Sequence, residues 1–122
     1  MAKILIVENN GDLRAFLILL FEMNSFEVRS ASTSIELNVL LNTFTPDLIL
    51  LDVILHGENG RDICKEIKQT HKEIHIILIS ANKKLLANYE ECNADDVIEK
   101  PFNIDDILHK VKSLLYKKNK IS

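Results

Sequence analysis

Five short apolar runs divide the chain, and each of them predicts a β-strand. Four of the five are rich in Ile, Leu or Val and show little alternation with polar residues, which is typical of strands buried on both faces of a sheet. The runs are Ile4–Val7, Phe26–Arg29, Leu48–Leu51, His75–Ile79 and Val97–Ile98.

Segments with helical periodicity separate these runs. Asp12–Met23 repeats apolar residues three and four positions apart, which predicts an amphipathic helix. A capping box formed by Thr33 and Glu36 opens the second helix, which ends before Pro46. The remaining predicted helices cover residues 60–70, residues 83–92 and a last segment that begins at Asn103, a good N-cap residue.

This alternation of strands and helices predicts a single α/β domain. Five strand–helix units form a parallel sheet with helices on both faces. In such folds, ligands bind outside the carboxyl ends of the strands. The polar residues that end each strand are therefore the candidates for a functional site.

Four of the five predicted strands bring an acid, a hydroxyl or an ammonium group to one edge of the sheet. A single polar residue there would merely mark the end of a strand, but an ordered set favours a site. In chain order the set is Glu8 and Asn9 after the first strand, Asp52 after the third, Ser80 after the fourth and Lys100 after the fifth.

These side chains suit phosphoryl transfer. A carboxylate such as that of Asp52 can attack phosphorus and form an aspartyl phosphate. Mg²⁺ prefers oxygen ligands, which Glu8 and Asp52 supply. Lys100 offers a compact positive charge for a phosphate oxygen, and Ser80 offers a hydroxyl donor.

Four motifs resemble those of response-regulator receiver domains, in the same order along essentially the whole chain. The resemblance implies a flavodoxin-like receiver topology with strand order 2-1-3-4-5, and one receiver domain over residues 1–122 with no effector domain. The motifs are the first strand with its acidic pair (Ile4–Asn9), the acceptor strand and loop (Asp47–Gly60), the Ser/Thr–Ala step (Ile77–Ala81) and the Lys–Pro motif (Asn93–Phe102).

The resemblance also implies a role for each candidate residue. Asp52 is expected to accept a phosphoryl group from a phosphohistidine of a histidine kinase or phosphotransfer protein. Ser80 is expected to bond a phosphate oxygen and Lys100 to pair with the phosphate, with a cis peptide bond before Pro101. The expected Mg²⁺ ligands are Glu8, Asn9, Asp52 and the backbone carbonyl of Ile54.

Asn9 and Val97 depart from the family pattern. Asn9 stands where a carboxylate is expected to contact the metal, so that two carboxylates against Lys100 leave a site charge of about −1 instead of about −2. We expect weaker Mg²⁺ binding and slower phosphotransfer as a result. Val97 replaces the usual Tyr or Phe of the last strand, so the output face either switches by another route or does not switch.

Net charge, apolar stretches and cysteine content limit the classes of partner and the cellular location that the sequence predicts. A net charge of −3 argues against nucleic-acid binding. The longest apolar stretch, Phe16–Phe21, is too short to cross a membrane, and no signal peptide is visible, so a cytoplasmic location is expected. Cys64 and Cys92 are predicted to be free thiols. The resemblance admits a downstream output protein or domain, and a homodimer that forms on phosphorylation.

Other functions fit the sequence less well. A degenerate receiver that binds proteins without phosphorylation is the main alternative, because Asn9 and Val97 both depart from the family. A haloacid-dehalogenase type of phosphohydrolase would need a second Asp where Ile54 stands. The chain has three glycines and no phosphate-binding glycine motif for a nucleotide. We therefore expect a signalling module rather than an enzyme, with limited self-catalysed phosphotransfer and dephosphorylation only.

Overall fold

The central sheet consists of five parallel strands, which a computed structural model describes within residues 1–116. The strands of the domain are β1 (Lys3–Val7), β2 (Glu27–Ala31), β3 (Leu48–Asp52), β4 (Ile54–Leu55), β5 (Glu58–Asn59), β6 (His75–Ser80) and β7 (Asp96–Glu99). The central sheet has the order β2-β1-β3-β6-β7, which confirms the predicted order 2-1-3-4-5 once the separate hairpin of β4 and β5 is set aside.

Helices cover both faces of the sheet, as predicted. Each α-helix begins with a side chain that accepts a hydrogen bond from a main-chain N–H group of the first turn, as in the predicted caps Thr33 and Asn103. Within residues 1–116 the four α-helices are α1 (Gly11–Met23), α2 (Ser34–Leu41), α3 (Gly60–Thr70) and α4 (Ile104–Leu115).

Two apolar layers bury the strands. Because successive strand residues point to opposite faces, Leu5 and Val7 pack with α2 and α3, whereas Ile4 and Ile6 pack with α1 and α4. Residues on both faces of β3 are fully buried. This burial explains why the central strands have continuous apolar sequences.

The prediction of one continuous α-helix over residues 83–92 is wrong. Two short 3-10 helices, Lys83–Leu86 and Tyr89–Cys92, take its place. Between them Asn88 adopts a left-handed conformation with φ of 52°, which interrupts the helical path. The side chain of Arg61 also binds main-chain carbonyl groups here, so hydrogen bonds to another element replace those of a continuous helix.

The sheet ends at β7, whose outer edge is partly covered by a lysine. The ammonium group of Lys110, on α4, donates to the carbonyl oxygen of Val97 at 2.7 Å. The same ammonium lies 3.9 Å from the carboxylate of Asp96. Within residues 1–116 we find no helix that combines the length and the apolar character needed to span a membrane.

Candidate functional site

Three charged side chains meet at the carboxyl edge of the sheet, where β1, β3 and β7 end. The ammonium group of Lys100 donates to Asp52 Oδ2 at 2.8 Å and to Glu8 Oε1 at 3.0 Å. The side chains of Glu8 and Asp52 are 1% and 5% exposed, and that of Lys100 is 22% exposed. Two buried carboxylates thus share one cation that remains partly open to water.

The main chain around Asp52 fixes the direction of its carboxylate. Asp52 is the last residue of β3, and its Oδ1 accepts a hydrogen bond from Ile54 N at 2.9 Å. Val53 N donates to Ile79 O at 3.0 Å, which ties the end of β3 to β6. One carboxylate oxygen is therefore held by the backbone, while the other faces Lys100.

A close approach of α3 to β3 depends on Gly60. Gly60 N donates to Val53 O at 2.7 Å. A Cβ atom at position 60 would lie 2.2 Å from Asp52 O and 2.8 Å from Val53 Cα, which are both main-chain atoms. Glycine therefore lets the helix begin directly against the strand that carries Asp52.

Glu8 is anchored through both its side chain and its carbonyl group. Its Oε2 accepts from Asn10 N at 3.0 Å, and its main-chain oxygen accepts from Arg14 Nη1 at 2.6 Å. Burial raises the pKa of the Glu8 carboxyl above its ordinary value, although the hydrogen bonds from Asn10 and Lys100 oppose this shift. Glu8 therefore depends on Lys100 for compensation of its negative charge.

Lys100 is held in its charged form by the two acids. Burial alone lowers the pKa of its ammonium group, but the hydrogen bonds and charges of Asp52 and Glu8 outweigh burial and leave this pKa above its ordinary value. The peptide bond between Lys100 and Pro101 is cis, as predicted. Lys100 N also donates to Ser80 O at 2.9 Å, which places the two residues at adjacent strand ends.

Ser80 lies buried at the end of β6, beside the charged group. Its Oγ accepts a hydrogen bond from Asn82 N at 3.0 Å. A hydroxyl group that accepts one bond still has its own hydrogen to donate. Ser80 is thus equipped to donate to an oxygen that arrives at this edge of the sheet.

Oxygen ligands for a hard cation are present, with fewer charges than usual for such a site. Among residues 1–116 no group of three His, Cys, Asp or Glu side chains could hold a metal ion. Glu8 and Asp52 nevertheless supply buried carboxylate oxygens, and half-buried Asn9, the residue after Glu8, adds an amide oxygen. This donor set fits Mg²⁺, which needs only one or two carboxylates beside phosphate and water.

The structure brings together the acids, the lysine and the serine that were selected from the sequence, but it also adds residues that were not selected. Gly60 and Arg14 act on the main chain of the site rather than through a reactive group. Gly60 carries a sequence signal, since it is one of three glycines and follows the strand of Asp52. Arg14 shows no such signal, because its partner is a carbonyl oxygen.

The chain belongs to the family of response regulator receiver domains, which matches residues 4–112. It is thus the receiver domain of a two-component response regulator, a signalling module rather than an enzyme, and receiver domains partner with histidine kinases.

Curated relatives support this assignment along the whole domain. The chain is 36% identical over 120 residues to the response regulator ArlR of Staphylococcus saprophyticus, covering 94% of this chain and 53% of ArlR. It is 34% identical over 116 residues to the transcriptional regulatory protein CpxR of Klebsiella pneumoniae, covering 94% of this chain and 50% of CpxR. The chain therefore spans about half the length of these relatives.

Solved structures share the fold closely. A two-component response regulator from Clostridium difficile superposes with a TM-score of 0.90 at 25% identity, covering 98% of this chain and 100% of that one. The response regulator TrrA from Thermotoga maritima, in complex with Mg²⁺ and BeF, gives a TM-score of 0.85 at 28% identity, covering 93% of this chain and 99% of that one. A structural relative thus binds Mg²⁺ and BeF.

Proposed function

We propose that Asp52 accepts a phosphoryl group from a phosphohistidine of a histidine kinase or phosphotransfer protein, with the help of Mg²⁺. The chain acts in this proposal as one receiver domain, and the modified form presents an altered face to an output protein or domain. The observation that carries the proposal is the buried Asp52 carboxylate, hydrogen-bonded at 2.8 Å to the ammonium group of Lys100.

The proposed reaction uses the geometry of this carboxylate. An oxygen of Asp52 forms a bond to phosphorus while the bond between phosphorus and the histidine nitrogen breaks. The added group brings further negative charge, so Lys100 is expected to move its hydrogen bond from Asp52 Oδ2 to a phosphoryl oxygen. Ser80 is expected to donate its hydroxyl hydrogen to another phosphoryl oxygen. Phosphoryl transfer is promoted mainly by positioning and charge compensation rather than by acid–base chemistry.

Mg²⁺ would be held by Glu8, Asn9, Asp52 and the backbone carbonyl of Ile54. A bound divalent cation compensates the charge of the phosphoryl oxygens during transfer. Because Lys100 bridges Glu8 and Asp52 at 3.0 Å and 2.8 Å, both acids lie close enough to one ammonium group to share a small cation as well.

The proposal predicts that the protein gains the mass of one phosphoryl group when it is incubated with Mg²⁺ and acetyl phosphate. Asp52→Ala should abolish the gain, since the accepting carboxylate is then absent. Asp62→Ala, which removes an exposed acid on α3, is the matched control and should leave the gain unchanged. Intact-protein mass spectrometry measures all three proteins.

Two results would contradict this proposal. A gain of mass that persists in Asp52→Ala would assign the modification to another residue. No gain in the wild type, with acetyl phosphate or with a cognate kinase, would favour the degenerate receiver that binds partners without phosphorylation. The replacement of an expected acid by Asn9 is the observation that keeps this second function in view.

Asn9→Asp is expected to strengthen Mg²⁺ binding by roughly tenfold, because it restores a charged ligand at the edge of the site. Isothermal titration calorimetry with MgCl₂ measures the change. Asn38→Asp adds the same charge at an exposed position of α2 and serves as the control. Equal affinity in the wild type and in Asn9→Asp would show that the retained Glu8 already compensates for Asn9.

Location, nucleic-acid binding and oligomeric state stay predictions from the sequence. We place the protein in the cytoplasm, where a kinase would meet it, without binding to nucleic acid. A homodimer that forms only after phosphorylation is part of the same proposal. Size-exclusion chromatography with and without acetyl phosphate tests it directly.

A further inference from the structure

Arg61, the second residue of α3, holds residues 83–92 through three of their main-chain carbonyl groups. Its guanidinium donates to the carbonyl oxygens of Leu85 at 2.9 Å, Ala87 at 2.7 Å and Asn88 at 2.9 Å. We call these three hydrogen bonds the Arg61 clamp. The Arg61 side chain is 19% exposed, so the clamp is largely shielded from water.

The clamp is incompatible with a continuous α-helix in this segment. In an α-helix, successive carbonyl groups are rotated by about 100° around the axis, so those of Leu85, Ala87 and Asn88 would not converge on one guanidinium. Asn88 also has φ of 52°, a left-handed conformation that few residues other than glycine adopt. The clamped form therefore replaces helical hydrogen bonds with bonds to another element.

The sequence of the same segment nevertheless favours a helix. Residues 83–92 read Lys-Lys-Leu-Leu-Ala-Asn-Tyr-Glu-Glu-Cys, and most of these residues have good helix propensity. Local preference and tertiary contacts thus point to two different arrangements of one segment. A segment of this kind can change between two states when the contacts that hold it are altered.

Both ends of the clamp are connected to the site around Asp52. Arg61 follows Gly60, which lies directly against the main chain of Asp52. On the other side, Ser80 Oγ accepts from Asn82 N at 3.0 Å, immediately before the segment begins. A displacement of the Ser80 hydroxyl toward Asp52 would lengthen that bond and pull on the segment held by Arg61.

We propose that Arg61 is a conformational switch residue, which holds segment 83–92 in two short turns until phosphorylation of Asp52 releases it to form a helix. This inference rests on the proposed function for its trigger. The clamp itself exists in the unmodified protein, and it is tested there without phosphorylation.

Two buried thiols beside the segment provide a measurement of its opening. Cys64, on α3, donates its thiol hydrogen to Cys92 O at 3.4 Å, and Cys92 donates to Tyr89 O at 3.2 Å. Both side chains are buried, and the chain has no other cysteine. Burial raises the pKa of the Cys64 thiol, which makes it slow to react. Modification therefore requires that the segment open locally.

The first experiment compares the rates at which N-ethylmaleimide modifies wild type, Arg61→Ala and Arg61→Lys. We expect Arg61→Ala to react about tenfold faster or more, as the loss of the three hydrogen bonds of the clamp implies. Arg61→Lys keeps the charge but not the planar fork of donors, so its rate should lie in between. Lys65→Ala, at an exposed position of the same helix, should react like the wild type.

Equal rates in wild type and Arg61→Ala would overturn the inference. The thermal unfolding midpoint of each variant shows whether faster modification reflects global unfolding. If Arg61→Ala does not fold, Arg61→Lys decides the question, and a wild-type rate in that variant would overturn the inference.

The second experiment repeats the measurement after incubation with Mg²⁺ and acetyl phosphate. Modification of the wild type should accelerate together with the gain of one phosphoryl mass, and Asp52→Ala should show neither change. A gain of mass without acceleration would overturn the release of the clamp and leave the proposed function intact. No gain of mass would overturn the trigger and the proposed function, while the first experiment would still judge the clamp.

Discussion

Replacing Gly60 with alanine is expected to lower the free energy of unfolding by about 3 kcal/mol, near the upper end of the usual cost of overpacking. The new Cβ would lie 2.2 Å from Asp52 O, and the atoms it meets belong to the main chain of the central strand. The first turn of α3 would have to move away, which would break the hydrogen bond from Gly60 N to Val53 O. Urea unfolding followed by circular dichroism measures the loss.

Gly11→Ala is a matched control for this change. Gly11 also begins a helix, but a Cβ atom there would meet only Arg14 Nη2, at 3.7 Å. We expect this variant to be as stable as the wild type or more stable by about 0.5 kcal/mol, because alanine favours helix. If Gly60→Ala and Gly11→Ala unfold at the same urea concentration, the close contact between α3 and β3 is not a structural constraint.

Lys100→Met should destabilise the protein by about 3 kcal/mol at neutral pH, because removal of one partner leaves buried charges without compensation. Glu8 and Asp52 are 1% and 5% exposed in their side chains and share this single ammonium group. Methionine keeps much of the volume of the lysine stem, so the effect reports the charge rather than a cavity. Urea unfolding at several pH values measures it.

The loss in Lys100→Met should shrink as the pH falls. Burial already raises the pKa of Glu8 above 4.5, and removal of the cation raises it further. At pH values between the Glu8 pKa of the unfolded chain and the higher Glu8 pKa of the folded variant, the folded variant binds more protons than the unfolded chain. The stability of the variant therefore falls as the pH rises through that window. The deficit is therefore larger at neutral pH than at acidic pH.

The wild type should behave differently in alkali. The folded-state pKa of Lys100 lies above 10.5, so the stability that Lys100 contributes is complete below that pH and disappears as the pH rises through the folded-state pKa. Lys65→Met, at an exposed position of α3, is the control and should show neither effect. An equal loss in Lys100→Met at neutral and at acidic pH would contradict the role assigned to charge.

The sheet could be predicted because each buried strand is specified by a short apolar run in the sequence. Strands buried on both faces need apolar residues at every position, as in β3, and a run this short and this apolar seldom forms another structure. The outermost strand was harder to predict, since β7 extends over Asp96–Glu99 and only its two central residues are apolar. The strand ends then brought the acids, the hydroxyl and the ammonium group together, because parallel strands share one carboxyl edge.

What could not be predicted depends on contacts between distant main-chain groups. The helix expected over residues 83–92 rested on propensity, which hydrogen bonds to another element override. Arg61 contacts main-chain carbonyl groups 24 to 27 residues away. Every residue has such a carbonyl group, so the sequence carries no signal for these contacts. The hairpin of β4 and β5 was missed as well, because two residues per strand are too few to show alternation.

The contact between Lys110 and Val97 has a consequence for solubility at high protein concentration. An outermost strand with free carbonyl groups invites the same strand of another molecule to pair with it, which is a first step toward fibrils. Lys110 occupies one of these acceptors at 2.7 Å and places a positive charge along the border. A second molecule approaching edge to edge would have to displace this ammonium group before its strand could pair with the Val97 carbonyl, so we expect Lys110 to hinder edge-to-edge association.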